Sequence, residues 1–305
     1  MLEVKSIEAE SLEHGLQRVG WRDYFDLCKP KVVAVMLLTA VVGMFLATPE
    51  LPGWQPVVFG TIGIMLAAAS AAVVNHVVDR HIDAKMRRTS QRPIPQGKIS
   101  PAQALLFALL LGVSGISILV WLVNPPTAWL TFGALIGYAV FYTIFLKRAT
   151  PQNITIGGIA GAAPPLLGWT AVSGTLEPNA LLLMLIIFTW TPPHFWALCI
   201  HRKHEYAAAN VPMLPVTHGE TFTRLQILLY TLLTIAATAF PFITGMSGLI
   251  YLAGVTVLNV RFLQWAWRVY LAQESLAPIM MFRFSIKYIM WLFAVLLLDH
   301  YLVLG

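Results

Sequence analysis

The sequence predicts an all-α, polytopic membrane protein, built as a bundle of about nine transmembrane helices. Of the 305 residues, 58% are hydrophobic and only 11% are charged, whereas about a quarter of the residues in a soluble domain carry a charge. Mean hydropathy is +0.72, and apolar stretches long enough to cross ~30 Å of hydrocarbon recur along the whole chain. These observations exclude an ordinary soluble domain.

Nine apolar stretches account for most of the chain and give the predicted helix count. The first is short and the fifth is interrupted, so the boundaries of both are expected to shift. In chain order the predicted spans cover residues 31–48, 57–78, 103–123, 128–146, 154–173, 180–200, 225–244, 247–267 and 284–304. They form a single transmembrane domain, 31–305, which follows a cytoplasmic N-terminal segment, 1–30.

Lysine and arginine alternate between the two sides of the predicted bundle. Four basic residues precede the first span and a fifth, Lys31, begins it, six lie in the connection 79–102, and others follow the fourth, sixth and eighth spans. The opposite connections, near 49–56, 124–127, 174–179 and 245–248, contain no Lys or Arg. By the positive-inside rule, the N-terminus is cytoplasmic and nine spans put the C-terminus outside. This topology, together with substrate binding, explains the net charge of +6 without a nucleic-acid partner.

The predicted location is a bacterial inner membrane, with the lipid bilayer around the helices. The first ~25 residues carry four glutamates and no apolar core, unlike a signal peptide or an acid-poor transit peptide. Both long connections, 79–102 and 201–224, lie on the cytoplasmic side, so the reaction site is expected at that face. Cys28 and Cys199 lack C-x-x-C spacing and predict neither a disulfide nor a zinc site.

Three oxygen-bearing side chains share one face of the second span where it reaches the cytoplasm: Asn75, Asp79 and Asp83. Their spacing of four residues makes a stripe ~12 Å long. A basic run follows at once, formed by Lys85, Arg87, Arg88 and Arg92. Oxygen ligands beside fixed positive charge suit a magnesium-bound pyrophosphate, because Mg²⁺ binds carboxylate, water and phosphate oxygens.

The two aspartates also have a simpler interpretation. They would then lie at the membrane interface and pair with Arg80 and Arg87. We favour a functional site, because an aspartate at the centre of a membrane helix costs roughly 2.5–3.5 kcal/mol and is functional by default. Asp79, Asp83 and Asn75 are therefore the predicted catalytic and metal-binding residues.

A second polar stripe follows the sixth span. His194, His201 and Glu205 fall within about 40° of one another on a helix with 100° per residue. On this pattern Glu205 would complete the metal site, while Arg202 or Lys203 would bind phosphate. His194 lies deeper, beside a proline kink, and is either a packing histidine or a residue that contacts a ligand.

Two further features leave alternatives open. Lys147 and Arg148 close the fourth span, either as topology anchors or as a clamp on phosphate oxygens, which accept strong charge-assisted hydrogen bonds from cationic donors. Residues 156–165 of the fifth span are rich in Gly, Ala and Pro. Such residues allow close helix packing, and they also fit a widened cavity for a bulky ligand. Pro192 and Pro193 in the sixth span have the same two interpretations.

The stretch from Asn75 to Pro93 resembles the first aspartate-rich motif of the intramembrane aromatic prenyltransferase superfamily. Four further segments narrow the resemblance to the branch of that superfamily that farnesylates haem. They are Tyr142 to Asn153, Gly157 to Trp169, Thr191 to Ile200, and Val211 to Val216. The resemblance is specific from about Lys29 to Val216 and looser through the final helices.

The resemblance implies farnesyl diphosphate and haem b as substrates, with haem O and pyrophosphate as products. A farnesyl group would be transferred to a vinyl group of the haem, with addition of water, inside a nine-helix bundle around a lipid-accessible cavity. Asn75, Asp79 and Asp83 would hold Mg²⁺ on the diphosphate, and Glu205 would be a further metal ligand. The implied diphosphate-binding residues are Arg88, Arg92, Lys147, Arg148 and Arg202, and the implied haem contact is His194.

The resemblance has one departure and leaves competing functions. The family's second motif usually has aspartate before the tyrosine, whereas this chain has Glu205 and Tyr206, which leaves the number of metal ions open. The main alternative is a prenyltransferase that acts on a quinone precursor or another aromatic acceptor. A transporter is a third hypothesis, disfavoured because transporter sites tend to lie at the bilayer midplane. The length of the isoprenoid chain rests on the resemblance alone.

Overall fold

The computed structural model describes residues 19–272 and 274–303, apart from the side chains of Arg148 and Val303. The predicted N-terminal segment therefore lies outside the described residues up to residue 18. Throughout the described ranges the regular elements are helices. They are α1 (Trp21–Leu27), α2 (Pro30–Leu46), α3 (Trp54–Lys85), α4 (Pro101–Leu122), α5 (Pro125–Ile136), the π-helix π1 (Gly137–Leu146), α6 (Lys147–Ala149), α7 (Asn153–Ala162), α8 (Pro164–Ser173), α9 (Pro178–His201), α10 (Lys203–Ala208), α11 (Leu214–Thr217), α12 (Gly219–Ile243), α13 (Leu249–Tyr270) and α14 (Ala277–Val303).

The prediction of an all-α bundle with many membrane spans is confirmed. Within residues 19–272 and 274–303, seven helices are long and apolar enough to cross a membrane, counting α5 and π1 as one. Helices α1 and α2 make an eighth span if this pair, bent by 55°, is counted as one. The predicted count of nine and the orientation of the two termini stay predictions.

The predicted fifth span is the one that departs most from a single helix. Residues 154–173 form two ten-residue helices, α7 and α8, which meet at Ala163 and Pro164. A proline has no backbone N–H and a fixed φ, so it suits the first position of a helix and ends the one before it. Pro164 therefore divides this span.

Helix α3 extends beyond the apolar span, as the helical spacing of the stripe predicts, and this extension matters for the site. The predicted apolar span ends at residue 78, and the helix continues as a polar extension to Lys85. The stripe from Asn75 to Asp83 therefore lies on one continuous helix. The next fifteen residues, 86–100, form a compact loop of turns that returns over the end of α3.

The last helix, α14, packs against α2 near the start of the chain, so the first and last long helices of the bundle are in contact. Helix α3 packs along α4, α2 packs against α8, and α9 packs against α12 and α14. Helix α14 also contacts α2, where the Tyr301 hydroxyl donates to the carbonyl of Phe45 at 3.1 Å. The imidazole Nε2 of His300 lies 2.9 Å from the carbonyl oxygen of Thr48.

Helices α2 and α8 approach so closely that glycine is required on both. A Cβ on Gly168 would overlap the backbone carbonyl of Ala40, and a Cβ on Gly43 would overlap that of Pro165. Small residues allow membrane helices to gain packing contacts that larger side chains would prevent. Of the two interpretations of the small residues in the fifth span, close helix packing applies at this contact.

We predict that Gly168→Ala lowers the stability of the fold. The added methyl group meets backbone rather than a flexible side chain, so the helices must separate, at a cost of about 1–3 kcal/mol. The matched control is Gly161→Ala, because a Cβ on Gly161 has no described atom within 4 Å. Thermal unfolding in detergent should show a lower midpoint for Gly168→Ala only. Equal midpoints for the two variants would contradict the close contact.

Candidate functional site

The three predicted side chains of the α3 stripe are buried together at the end of the bundle. Asn75, Asp79 and Asp83 are each no more than 4% exposed. One helical turn separates neighbours, and the Nδ2 of Asn75 donates to Oδ2 of Asp79 at 2.8 Å. The stripe is therefore a connected polar cluster inside the protein.

Each member of the stripe contacts a cation from a different part of the chain. Lys147, just after π1, places its Nζ 2.5 Å from Oδ2 of Asp79. Arg92, in the loop after α3, donates from Nη1 to Oδ2 of Asp83 at 2.6 Å. Lys29 donates from Nζ to Oδ1 of Asn75 at 2.5 Å. Such pairing is what makes buried carboxylates tolerable, because an isolated buried charge costs several kcal/mol or more.

One carboxylate oxygen of the cluster is left without a partner. Oδ1 of Asp79 is buried and accepts no hydrogen bond from any described residue. Buried polar atoms are nearly always satisfied, and an exception in a functional position indicates a ligand, an ion or water. The donor set fits Mg²⁺, which prefers carboxylate and amide oxygens and keeps open positions for water and phosphate.

Lys29 belongs to the site, although the sequence indicated it only as a charge that sets topology. It lies at the break between α1 and α2 in the left-handed region, with φ 50°. Pro30 starts α2 directly after it. The break turns the lysine side chain into the bundle, where it reaches Asn75 on α3.

The π-helix π1 supplies the aromatic wall of the site. Wider turns of this kind are rare and are frequently found at functional sites. Tyr138 and Tyr142 lie one above the other with ring centroids 5.3 Å apart. The ring of Tyr142 occupies the space beside Gly157, where a Cβ would collide with it. Thr143 on the same helix lies 3.4 Å from Nδ2 of Asn75.

These side chains enclose a polar cavity of about 260 Å³. Asn75, Asp79 and Asp83 line it on one side, and Lys29, Arg88, Arg92 and Lys147 supply the positive charge. Tyr138, Tyr142, Phe195 and Tyr206 are its aromatic residues.

An apolar pocket of about 170 Å³ adjoins the polar cavity. Lys29, Val32, Tyr138 and Phe195 line both, so the two spaces meet at these residues. The apolar pocket is otherwise lined by small and aliphatic residues, among them four alanines of α3: Ala67, Ala68, Ala71 and Ala72. A ligand with a charged head and an apolar tail matches this arrangement.

Burial alters the pKa of two residues that line the polar cavity outside the membrane-spanning helices, Arg88 in the loop 86–100 and Tyr206 in the short helix α10. Desolvation lowers the pKa of Arg88, against the raising effect of the nearby Tyr206 and Asp83. Desolvation, followed by the effect of Cys199, raises the pKa of Tyr206. Tyr206 is therefore a neutral hydrogen-bond donor at neutral pH, and Arg88 is a cation in need of an anionic partner.

Several predicted residues lie outside the lining of the polar cavity. Arg202 donates from Nη1 to Oε1 of Glu205 at 2.9 Å, and neither is among the described residues that line the polar cavity. Their neighbour Tyr206 lines it instead. Lys203 lies 3.3 Å from Glu220 on α12. The side chain of Arg148 is outside the described part of the chain.

His194 is buried between two aromatic rings. Its ring stacks on Trp190 and Phe282, with centroids 4.3 and 4.5 Å away. Its Nδ1 lies 2.6 Å from Oγ of Ser285 on α14. The next residue, Phe195, lines both the polar cavity and the apolar pocket.

Comparison with known sequences gives close relatives along nearly the whole chain. A protoheme IX farnesyltransferase from Hahella chejuensis is 62% identical over 283 residues, covering 93% of this chain and 95% of the relative. One from Marinobacter nauticus is 57% identical over 298 residues, covering 98% of each chain. Protoheme IX farnesyltransferase 1 from Pseudomonas putida is 60% identical over 289 residues, covering 95% of this chain and 97% of the relative.

Solved structures share the fold at low sequence identity. A structure of digeranylgeranylglyceryl phosphate synthase has a TM-score of 0.77 at 16% identity, over 92% of this chain and 98% of that one. A UbiA homolog from Archaeoglobus fulgidus bound to GPP and Mg²⁺ has a TM-score of 0.63 at 18% identity, over 90% and 99%. Residues 36–295 match the sequence model of the UbiA prenyltransferase family. The chain is therefore an integral membrane enzyme that belongs to the UbiA prenyltransferase family.

Proposed function

We propose that this prenyltransferase transfers a farnesyl group from farnesyl diphosphate to a vinyl group of haem b. The observation that carries the proposal is the junction of a cation-lined polar cavity with an apolar pocket. A prenyl diphosphate has a charged head on an apolar tail and matches that junction. The choice of haem as acceptor is supported by the names of the close relatives.

The diphosphate would bind through Mg²⁺ held by Asn75, Asp79 and Asp83. The free Oδ1 of Asp79 supports this assignment, because a buried carboxylate oxygen needs a partner. Mg²⁺, when bound, would neutralise charge on the diphosphate and polarise its oxygens. Glu205 is proposed as a further ligand, which requires it to exchange Arg202 for the metal. The related structure bound to GPP and Mg²⁺ supports the same class of ligand.

Four cations would stabilise the leaving group. When the bond between the first farnesyl carbon and its oxygen breaks, negative charge collects on the pyrophosphate. Preorganised cations stabilise such developing charge best when water is excluded. The residues proposed for this role are Lys29, Arg88, Arg92 and Lys147, and the resemblance adds Arg148 and Arg202. Lys147 and Arg92 would move from carboxylate to phosphate oxygens when metal and diphosphate enter.

The farnesyl cation would be held away from water until the haem attacks it. The aromatic rings of Tyr138, Tyr142 and Phe195 border the junction, and their π faces attract positive charge. The terminal vinyl carbon would form the new carbon–carbon bond and leave a cation on the carbon next to the porphyrin. Water would then add there and lose a proton, which gives the hydroxyl of haem O.

His194 is proposed to contact the haem. Stacking between Trp190 and Phe282 and the contact with Ser285 fix the orientation of its ring. Its neighbour Phe195 borders the reaction space. Residues 31–305 are proposed to form one membrane domain of the bacterial inner membrane. Its basic end, which carries the polar cavity, would face the cytoplasm according to the positive-inside rule.

The deciding experiment incubates the purified protein with haem b, farnesyl diphosphate and Mg²⁺, followed by mass spectrometry of the extracted haem. We expect a product heavier by one farnesyl group plus water, and no product when Mg²⁺ is chelated. A quinone precursor offered in place of haem is the competing acceptor. Farnesylation of that acceptor, with unchanged haem, would overturn the choice of haem.

We predict that Asp79→Asn reduces turnover on the order of 100-fold or more, because the amide cannot supply the same charge to a metal. The protein should still fold, because asparagine has nearly the shape of aspartate and its amide oxygen can still accept a hydrogen bond from Lys147. Glu220→Gln is the control, because Glu220 is an ion-paired carboxylate that lies outside the polar cavity. Its turnover should match that of the unchanged protein. Full activity of Asp79→Asn would refute the metal assignment.

We predict that Ala68→Leu shortens the prenyl chain that the enzyme prefers. Ala68 lines the apolar pocket, and a leucine there fills part of a space of about 170 Å³. The ratio of kcat/KM for geranyl against farnesyl diphosphate should rise by about 10-fold, since each methylene excluded from an apolar site changes affinity severalfold. Ala84→Leu, at an exposed position of α3, is the control. An unchanged ratio would place the prenyl chain elsewhere.

A further inference from the structure

A second polar cavity, with a volume of about 250 Å³, shares three of its cationic lining residues with the polar cavity of the site. We propose that this cavity, called the vestibule, binds inorganic pyrophosphate on its way out of the enzyme. Its lining includes Asp26, Lys29, His76, Arg88, Gln91 and Arg92. The proposal rests on the proposed function, because pyrophosphate is the product that leaves a prenyl diphosphate.

The first observation is a histidine whose hydrogen-bonding capacity is unused. His76 lies on α3 and is only 2% exposed. Neither of its ring nitrogens has a hydrogen-bond partner among residues 19–272 and 274–303. A neutral imidazole always carries one N–H donor, and an unmade hydrogen bond of a buried donor is costly. Because His76 lines the vestibule, a ligand there with oxygen acceptors would satisfy it.

The second observation is a wall of cations shared by the two cavities. Lys29, Arg88 and Arg92 line both the vestibule and the polar cavity. On the side of the polar cavity, Lys29 contacts Asn75 and Arg92 contacts Asp83. An anion could therefore pass from one side of these cations to the other without losing all of its charged partners.

Both sides have an excess of two positive charges, because four cations face Asp79 and Asp83 in the polar cavity and three face Asp26 in the vestibule. The two sides differ in how the charge is paired. In the polar cavity, Lys147 and Arg92 are held by the two carboxylates at 2.5 and 2.6 Å, so a phosphate there must displace those pairs or meet a metal. The vestibule, with its single carboxylate, can attract pyrophosphate without a metal ion, which suits a product that is leaving the metal site.

The carboxylates of the acceptor offer the same chemistry, because they are also anions with several oxygen acceptors. The lining of the vestibule favours the smaller anion. Pro93 is the one apolar residue among those described around it, so an attached porphyrin ring would have no apolar wall to pack against. Pyrophosphate needs only charged and polar partners.

The first test measures equilibrium binding of radiolabelled pyrophosphate to the detergent-purified full chain in the presence of a chelator. We expect His76→Phe to weaken binding by about 10-fold, the effect of losing one hydrogen bond to a charged oxygen. His76→Gln keeps an N–H donor and should restore most of the affinity. His81→Phe, at an exposed position of the same helix, should bind like the unchanged protein.

The second test measures inhibition of turnover by added pyrophosphate. His76→Phe should raise the inhibition constant of pyrophosphate by a similar factor and leave the KM for haem unchanged. A raised KM for haem with unchanged pyrophosphate binding would mean that the vestibule takes the acceptor's carboxylates, which overturns the proposal. Unchanged pyrophosphate binding in His76→Phe would also overturn it.

Two measures keep these tests decisive. If His76→Phe fails to fold, Gln91→Leu, at another polar residue of the vestibule lining, carries the same expectation. If the unchanged protein makes no farnesylated haem, the proposed function fails, but the binding test still decides whether the vestibule holds pyrophosphate.

Discussion

The burial of two carboxylates near the end of α3 is the constraint on which the rest of the site depends. Each would be too costly to bury alone, and each is matched by a cation from a distant part of the chain. Lys147 comes from the end of π1 and Arg92 from the loop that follows α3. The helix break at Lys29, the π-helix and the loop 86–100 all bring charge to one place.

Two buried aspartates, Asp299 and Asp79, differ in what their carboxylate oxygens contact. Asp299, on α14, uses both oxygens to accept backbone N–H groups, from Gly248 at 2.6 Å and from Tyr251 at 3.0 Å. It caps the N-terminus of α13, and each of its carboxylate oxygens accepts a hydrogen bond. Asp79 shares one oxygen with Asn75 and Lys147 and keeps the other free of described partners. Of the two, only Asp79 therefore has a carboxylate oxygen that a ligand or metal ion could satisfy.

The same end of the bundle joins polar chemistry to apolar space. The alanines of α3 that line the apolar pocket precede the polar stripe on the same helix, so one continuous helix runs from the apolar pocket to the polar cavity. The tight contact of α2 with α8 keeps the neighbouring helices in place. A lipid-like substrate can therefore keep its tail in an apolar environment while its head meets the cations.

The sequence by itself determined the helical class, most of the spans and the stripe of Asn75, Asp79 and Asp83, because hydropathy and helical periodicity are local properties. It did not show that Lys29 meets Asn75, that His76 faces a second cavity, or that Arg202 pairs with Glu205 beside the polar cavity. The break of the fifth span at Pro164 was only indicated. Lys29 and Asn75 are 46 residues apart, and Lys147 and Asp79 are 68 apart. Such pairings depend on how the helices pack, so only the tertiary structure decided them.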